Sequence, residues 1–380
     1  MRARIVILSA FATPYRSGAE ACAEEIAKRL LPRYDVTIVT ARMRRDLPRS
    51  TKIAGGVPLL RVGIGSERLD PWLFPLLAPF HVRRLRPVLI HAILETFAGL
   101  ALHWCGFFSK KSKRLLTLQT TNRSFLKSTI LRSPDAVTAI SSALVRSGRE
   151  RGRTDIELIS NGVDLPALRQ ACERYPKMSG RILFVGRLEP MKGIDILLRS
   201  CAEIFSEPGA RGVKPTWGPR PLYGAPGCMD VRIVGDGSQR RSLEKLAHGL
   251  GVAGHVQFLG YLPPAAVCRE FAQAEIFCGL SISEAMGNVF LEAQAAGCAV
   301  IGTRVGGIPD IVKDGETGLL IPPNDVNTAA WALKALLTDA HLRSRLQEAA
   351  RRHAEEYDWD IVAGRYATVY DRLLPSVAHA

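Results

Sequence analysis

Short β-branched runs alternate with longer stretches of helical period along the whole chain. In the first half, Ile5 to Ala10, Val36 to Thr40, Val88 to Ala92, Leu115 to Gln119, Ala136 to Ile140 and Ile156 to Ser160 read as strands. Glu20 to Leu31, Thr96 to Phe108 and Ser142 to Arg151 read as helices between them. The second half repeats the rhythm with strands at Ile182 to Val185, Val231 to Val234, Val256 to Leu259, Ile276 to Cys278, Val300 to Gly302 and Leu319 to Ile321. Such alternation predicts an α/β fold of βαβ units with parallel sheets, formed twice. The near-continuous apolar character of the strands fits sheets covered on both faces. Pro166 to Gly180 loses periodicity and is the expected boundary between the halves. A cleft between two such domains is the default ligand site. Ser206 to Met229, crowded with Gly and Pro, predicts a long exposed loop, and the chain closes on helices at Ala340 to Tyr357 and Ile361 to Leu374.

The length, 380 residues, also favours two domains at roughly 150 residues each. With 47% hydrophobic and 23% charged residues, disordered and collagen-like chains are excluded. Lys and Arg number 51 against 36 Asp and Glu, a formal net charge of +15 that points to an anionic partner: nucleic acid, anionic lipid or a phosphorylated substrate. Nucleic acid is the least attractive, since no recognition motif and no repeated aromatic interleaving accompanies the cations.

Eight cysteines without a C-x-x-C pair, most inside apolar runs, read as buried reduced thiols of a cytoplasmic protein. The start, MRARIVILSAFA, imitates a secretory leader, but it equally suits a first buried strand, and a helical pattern follows directly. Val88 to Phe108 is long and apolar enough to be weighed as a membrane span. Glu95 near its middle would cost about 2.5 to 3.5 kcal/mol, and both flanks are basic, so a strand followed by a buried helix is the better reading. Two stretches, PWLFPLLAPFHVRRLRP from Pro71 and GFFSKKSKRLL from Gly106, put aromatic and Leu side chains beside cations, as a peripheral contact with anionic membrane requires. A buried helix bordered by a solvated basic loop would account for them equally well.

Three stretches carry candidate chemistry. TPYRSGAE, Thr13 to Glu20, follows the first strand and opens a helix whose free N–H groups, beside Gly18, could face an anion; a structural turn is as good a reading. FVGRLEPMKGID, Phe184 to Asp195, repeats strand, turn and helix, with Arg187 and Lys192 between Gly186 and Gly193. A forked guanidinium and a compact ammonium suit a diphosphate, although most such pairs are only solvated surface cations. SEAMGNVFLEAQAAG, Ser283 to Gly297, separates Glu284 and Glu292 by seven residues around an expected helix start at Gly287 and Asn288. Carboxylates on a helix are usually solvated too, but here one precedes the helix, where N–H groups attract anions.

Together these stretches resemble the retaining glycosyltransferases of the GT-B fold, specifically glycosyltransferase family 4, also called group 1. The likeness runs through nearly the whole chain, from PYRSGAE through VLIHA, DAVTAISSAL, LISNGVD, RIVGDG and VQFLGYL to DGETGLLIPPND. It implies two Rossmann-like domains facing each other across a cleft: 1–165 for the acceptor, 166–357 for the nucleotide sugar, and 358–380 as a helix packing back on the first domain. It implies that Arg187 and Lys192 clamp the donor diphosphate, Glu292 holds the ribose and Glu284 lies by the transferred sugar. Gly186 and the backbone at Gly287, Asn288 and Val289 would complete the donor site, while Gly18 and Gln119 would line the cleft.

The implied reaction moves a sugar from a UDP- or GDP-sugar to a hydroxyl, with a lipid-linked saccharide of cell-surface polysaccharide or glycolipid assembly among the acceptors left open. No metal or further cofactor is expected, because the two cations replace the metal's charge. The expected place is the cytoplasm, at the inner face of the membrane if peripheral.

Three positions depart from the pattern. Gln119 stands where the family often has a histidine; it can hydrogen-bond a sugar but cannot take a proton at neutral pH. Ser17-Gly18-Ala19 stands where a double glycine is common, and Ile93 replaces the companion of His91, leaving a structural role for that histidine as plausible as a functional one. A nucleotide-sugar epimerase or hydrolase on the same fold, or an inactive nucleotide-sugar-binding protein, are the alternatives.

Overall fold

The computed structural model describes residues 2–15, 17–121, 126–206 and 229–374. The chain divides into two compact units, Met1–Gly162 with Trp359–Ala380, and Val163–Asp358.

The first unit holds β1 (Arg4–Leu8), β2 (Asp35–Ala41), β3 (Ser50–Lys52), β4 (Pro58–Val62), β5 (Leu89–Ile93), β6 (Lys113–Leu118), β7 (Ala136–Ala139) and β8 (Ile156–Leu158). They form one sheet in the order β3-β4-β2-β1-β5-β6-β7-β8, parallel except for the antiparallel pair β3–β4. The second unit holds β9 (Met178–Val185), β10 (Asp230–Val234), β11 (Val256–Gly260), β12 (Ala274–Gly279), β13 (Ala299–Thr303) and β14 (Leu319–Ile321), all parallel in the order β11-β10-β9-β12-β13-β14. The central strands are apolar on both faces because helices cover both: Ile5 to Leu8 are fully buried, as is every residue of β5.

Every strand read from the sequence is present, and the short pair β3 and β4 was not anticipated. Two helices bear on the sequence reading. Pro166 to Gly180 is not an aperiodic linker: it opens with the helix Leu165–Arg174, capped by the Asp164 carboxylate, which accepts the Ala167 N–H at 3.1 Å. Pro166 sits in its first turn, where a missing N–H is harmless. The second is Asp70–Leu85, a helix as one of the two readings of that stretch had it, with prolines at 75 and 79 inside it. It buries Pro71, Phe74, Pro75, Ala78, Pro79 and Val82 on one stripe while exposing Trp72, Leu76 and Phe80 on another. With apolar residues on both stripes it has no amphipathic contrast to read.

Val88 to Phe108 forms β5 and the helix Phe97–Phe108, and no helix among the described residues is long and apolar enough to cross a membrane. The expected loop at Ser206 to Met229 lies almost wholly outside the described residues. Of the cysteines, Cys22, Cys105, Cys201, Cys278 and Cys298 are buried and Cys172 and Cys268 half-buried, all as free thiols; Cys228 lies outside the described residues. Burial pushes the thiols of Cys22, Cys105 and Cys201 up to about 12, so they stay protonated and unreactive at neutral pH.

The C-terminal helix Trp359–Leu373 completes the core of the first unit. Trp359, Val362, Tyr366, Val369 and Tyr370 pack among Ile5, Ile7, Cys22 and Ile26. His91 on β5 anchors it through Nδ1, 2.8 Å from Tyr370 Oη, while its Nε2 lies 2.7 Å from Thr117 Oγ1 on β6.

Candidate active site

In an open parallel sheet, ligands bind beyond the strand C-termini where the connections reverse direction, because the two loops there part and leave a crevice. In the second unit that point lies between β9 and β12. The loop after β9 carries Arg187 and Lys192; the loop after β12 carries Glu284 and leads into the helix Asn288–Ala295. The two loops are fastened by the Ile282 N–H, which donates to the Met191 carbonyl at 2.8 Å.

Glycines permit the close approach. Gly193 has φ +63°, and a Cβ there would lie 2.0 Å from the Leu280 carbonyl oxygen. Gly306, after β13, has φ +56°, and its Cβ would lie 1.6 Å from the Glu284 carbonyl oxygen. No other residue fits at either place. The loop after β10 is tied in as well, since the Ser238 N–H and hydroxyl donate to the Glu189 carboxylate at 3.2 and 2.7 Å.

Within this frame Lys192 Nζ lies 2.5 Å from Glu284 Oε2, with both side chains largely withdrawn from solvent, at 18% and 14% exposure. The other carboxylate oxygen of Glu284 accepts the Ala285 N–H at 3.2 Å. Arg187 is exposed and forms no ion pair or side-chain hydrogen bond among the described residues. Gly186 donates its N–H to the Val234 carbonyl at 3.0 Å, holding the start of the loop against β10.

Gly287 caps the helix Asn288–Ala295 and has no side chain to turn back onto its first turn. Val289 follows, half-buried, and Glu292 lies half-buried one turn beyond Asn288 on the same face. Cys268 neighbours Glu292: burial first, and the Glu292 charge next, push that thiol up to about 11.

The reversal in the first unit lies between β1 and β5. Gly18 is the first residue of the helix Gly18–Leu30, whose cap residue Ser17 gives its N–H to Glu20 at 2.9 Å. Gln119, at the end of β6, is 8% exposed. Its side chain pairs with Asn161, each amide nitrogen donating to the other's oxygen at 3.1 Å. Its backbone N–H donates to Glu95 Oε2 at 2.8 Å. Glu95 in turn faces Lys127 at 2.8 Å, both side chains only 2% exposed, and Lys127 also donates to the Thr120 carbonyl at 3.0 Å.

Comparison with known proteins bears on what these two crevices serve. Residues 16–166 match the family described as Glycosyltransferase Family 4, and residues 227–353 the family described as Glycosyl transferases group 1. The chain belongs to the group 1 glycosyltransferases.

A D-inositol 3-phosphate glycosyltransferase of Corynebacterium glutamicum (strain R) is 33% identical over 218 residues, 57% of this chain and 49% of that one. The protein of the same name from Acidothermus cellulolyticus is 39% identical over 185 residues, 47% of this chain and 38% of that one. The chain thus spans about half the length of the curated relatives it matches. Among solved structures, sucrose-phosphate synthase from Thermosynechococcus elongatus has a TM-score of 0.81 at 21% identity, covering 99% of this chain and 100% of that one. Anabaena HepE in complex with UDP and glucose has a TM-score of 0.74 at 20% identity, covering 97% and 100%. At these identities the likeness shows the fold, which is GT-B: two parallel-sheet α/β domains.

The group 1 residues assigned to the donor, Gly186, Arg187, Lys192, Glu284, Gly287, Asn288, Val289 and Glu292, all lie on the two loops of the second unit's reversal point or on the helix that follows. Gly18 and Gln119 lie in the first unit. His91 is wholly buried, both ring nitrogens are engaged, and burial pushes it down to about 3, so it is a neutral core residue. Sequence reasoning missed Asn161 and the Glu95–Lys127 pair. An acidic residue inside an apolar run was the one signal, since a charge survives there only when paired.

Proposed function

We propose that this chain transfers a sugar from a nucleoside diphosphate sugar to a hydroxyl acceptor with retention of anomeric configuration. The observation that carries the reading is the grouping of Arg187, Lys192 and Glu284 at one strand-end crevice in a group 1 glycosyltransferase. A diphosphate entering there meets Arg187 and draws Lys192 away from Glu284, leaving that carboxylate beside the sugar. The bond from the anomeric carbon to the leaving phosphate oxygen breaks with its electron pair going to that oxygen. The acceptor oxygen bonds the same face of the carbon, and its proton passes to the leaving phosphate. The reaction needs no side-chain base, which accommodates Gln119, and the two cations stabilise the departing charge without a metal.

UDP-sugars are the first donors to try, since HepE was crystallised with UDP, and GDP-sugars the second. The acceptor class is a saccharide or polyol hydroxyl. A lipid-linked saccharide of surface polysaccharide or glycolipid assembly fits a basic cytoplasmic protein at the inner membrane face, and D-inositol 3-phosphate is the alternative that the relatives' name brings. The test is incubation with labelled UDP- and GDP-sugars, each with lipid extract or D-inositol 3-phosphate, and NMR of the product's anomeric proton. Transfer with retention supports the reading. Donor consumption without an acceptor would indicate an epimerase or hydrolase, and binding without turnover an inactive binding protein.

A further inference from the structure

The helix Asp70–Leu85, with its cap residue Leu69, exposes Leu69, Trp72, Leu76 and Phe80, spaced 3, 4 and 4 residues apart and therefore on one stripe, with Trp72 71% exposed. The helix Phe97–Phe108 packs beside it through Trp72 against Phe97, ring centroids 5.1 Å apart, and Phe80 against Phe108 at 4.9 Å. It adds exposed Trp104 and Phe107. Scattered exposed apolar residues are ordinary, but a continuous aromatic stripe over two packed helices is not.

The charges along this stretch have one sign, and the carboxylates that reach its edge from outside, Asp35 and Asp135, are paired with Arg4 and Lys113. From Pro71 to Pro134 the sole acidic residue is Glu95, which is buried against Lys127. Arg83, Arg84 and Arg86 end the first helix, and Lys110 and Lys111 follow the second; all are exposed, and none forms an ion pair among the described residues. Both groups lie at the same end of the sheet, because each helix returns the chain to the start of the next parallel strand. The join is direct: the Lys113 N–H donates to the Val88 carbonyl at 2.9 Å, and the Ser112 hydroxyl to the Pro87 carbonyl at 2.6 Å. The apolar stripe therefore ends in one combined basic edge.

We propose that this face of the first unit docks on an anionic lipid bilayer, with Trp72, Leu76 and Phe80 among the acyl chains and the five cations at the headgroups. Aromatic and Leu side chains supply burial, and clustered Arg and Lys supply attraction to anionic lipid. A protein partner of ordinary composition would need carboxylates opposite the cations; a bilayer presents phosphates along the whole edge. The inference rests on the membrane contact in the proposed function and gives it a surface. It is tested without donor or acceptor, so vesicle binding can fail while sugar transfer stands, and the reverse.

The experiment is cosedimentation of the full chain with phosphatidylcholine vesicles with and without phosphatidylglycerol, together with quenching of tryptophan fluorescence by brominated acyl chains. Wild type should bind the anionic vesicles, less so at high salt, and be quenched. W72S/L76S/F80S should bind about tenfold or more weakly, and R83S/R84S/K110S/K111S should lose its preference for phosphatidylglycerol. Unchanged thermal midpoints and nucleoside diphosphate binding control for folding; if the triple variant melts early, W72S alone should still lose most of the quenching. Failure to bind anionic vesicles, equal binding by the variants, or conversion of a dimer to a monomer by W72S/L76S/F80S would overturn the proposal, the last by showing that a second copy covers the stripe.

Discussion

Lys192 and Glu284, ninety-two positions apart in the chain, meet as a 2.5 Å ion pair where the second sheet reverses direction. The lysine assigned to the diphosphate and the carboxylate assigned to the sugar are thus each other's partners before any donor arrives. On the proposed roles, donor binding exchanges one anion for another at Lys192. That exchange sets what each substitution should do.

Glu284→Gln should release Lys192 to the diphosphate. Free UDP should bind the variant more tightly, by roughly fivefold if the pair is worth about 1 kcal/mol, while turnover with the full donor falls because the sugar loses its carboxylate. Calorimetry with UDP beside steady-state rates checks both. Weaker UDP binding would show that Lys192 does not serve the diphosphate.

Glu292→Gln should behave differently. A group that holds the ribose touches a part of the donor unchanged by reaction, so its loss should raise the donor Michaelis constant and weaken free UDP with little change in turnover. Equal turnover defects at Glu284 and Glu292 would refute this division of roles.

On the proposed roles, Arg187→Ala and Lys192→Ala each remove a donor aimed at charge that develops on the leaving phosphate. Each should cost about 3 kcal/mol in the barrier, roughly a hundredfold in rate. With these cations in place, EDTA should leave wild-type activity unchanged. Loss of activity in EDTA with recovery in magnesium or manganese would require a metal.

Lys127→Met should destabilise the fold more than any of these substitutions, by about 3 to 5 kcal/mol, because it strands the Glu95 charge in the interior. E95Q/K127M removes both charges and should recover a good part of that loss in denaturant titrations. An additive double variant would mean that the pair does not act as a unit.

His91 links stability to pH. Its folded-state value, near 3, lies below its ordinary 6.5, so between these values the unfolded chain binds the extra proton. Its contribution is complete above about pH 6.5 and is lost as pH falls toward 3, at up to about 1.4 kcal/mol per pH unit. His91→Gln should be less stable than wild type at pH 7, with the gap narrowing at pH 5. A gap independent of pH would show that the imidazole is not held neutral.

The alternation of apolar strands with helices, the loops at Gly186 to Gly193 and Ser283 to Gly287, and the helix start at Asn288 were all legible in the chain, because each depends on residues a few positions apart whose periodicity records which face is buried. Which face of the helix Asp70–Leu85 is buried was not legible: one of its apolar stripes enters the core and the other does not, and period alone cannot tell them apart. Nor could the sequence decide that His91 would spend both nitrogens on Tyr370 and Thr117, or that Glu95 would meet Lys127 and Lys192 would meet Glu284. Those pairings join residues from 26 to 279 positions apart, brought together by the order of strands in two sheets. A charge buried in such a place takes whichever partner the topology delivers, because in the interior no water is left to solvate it.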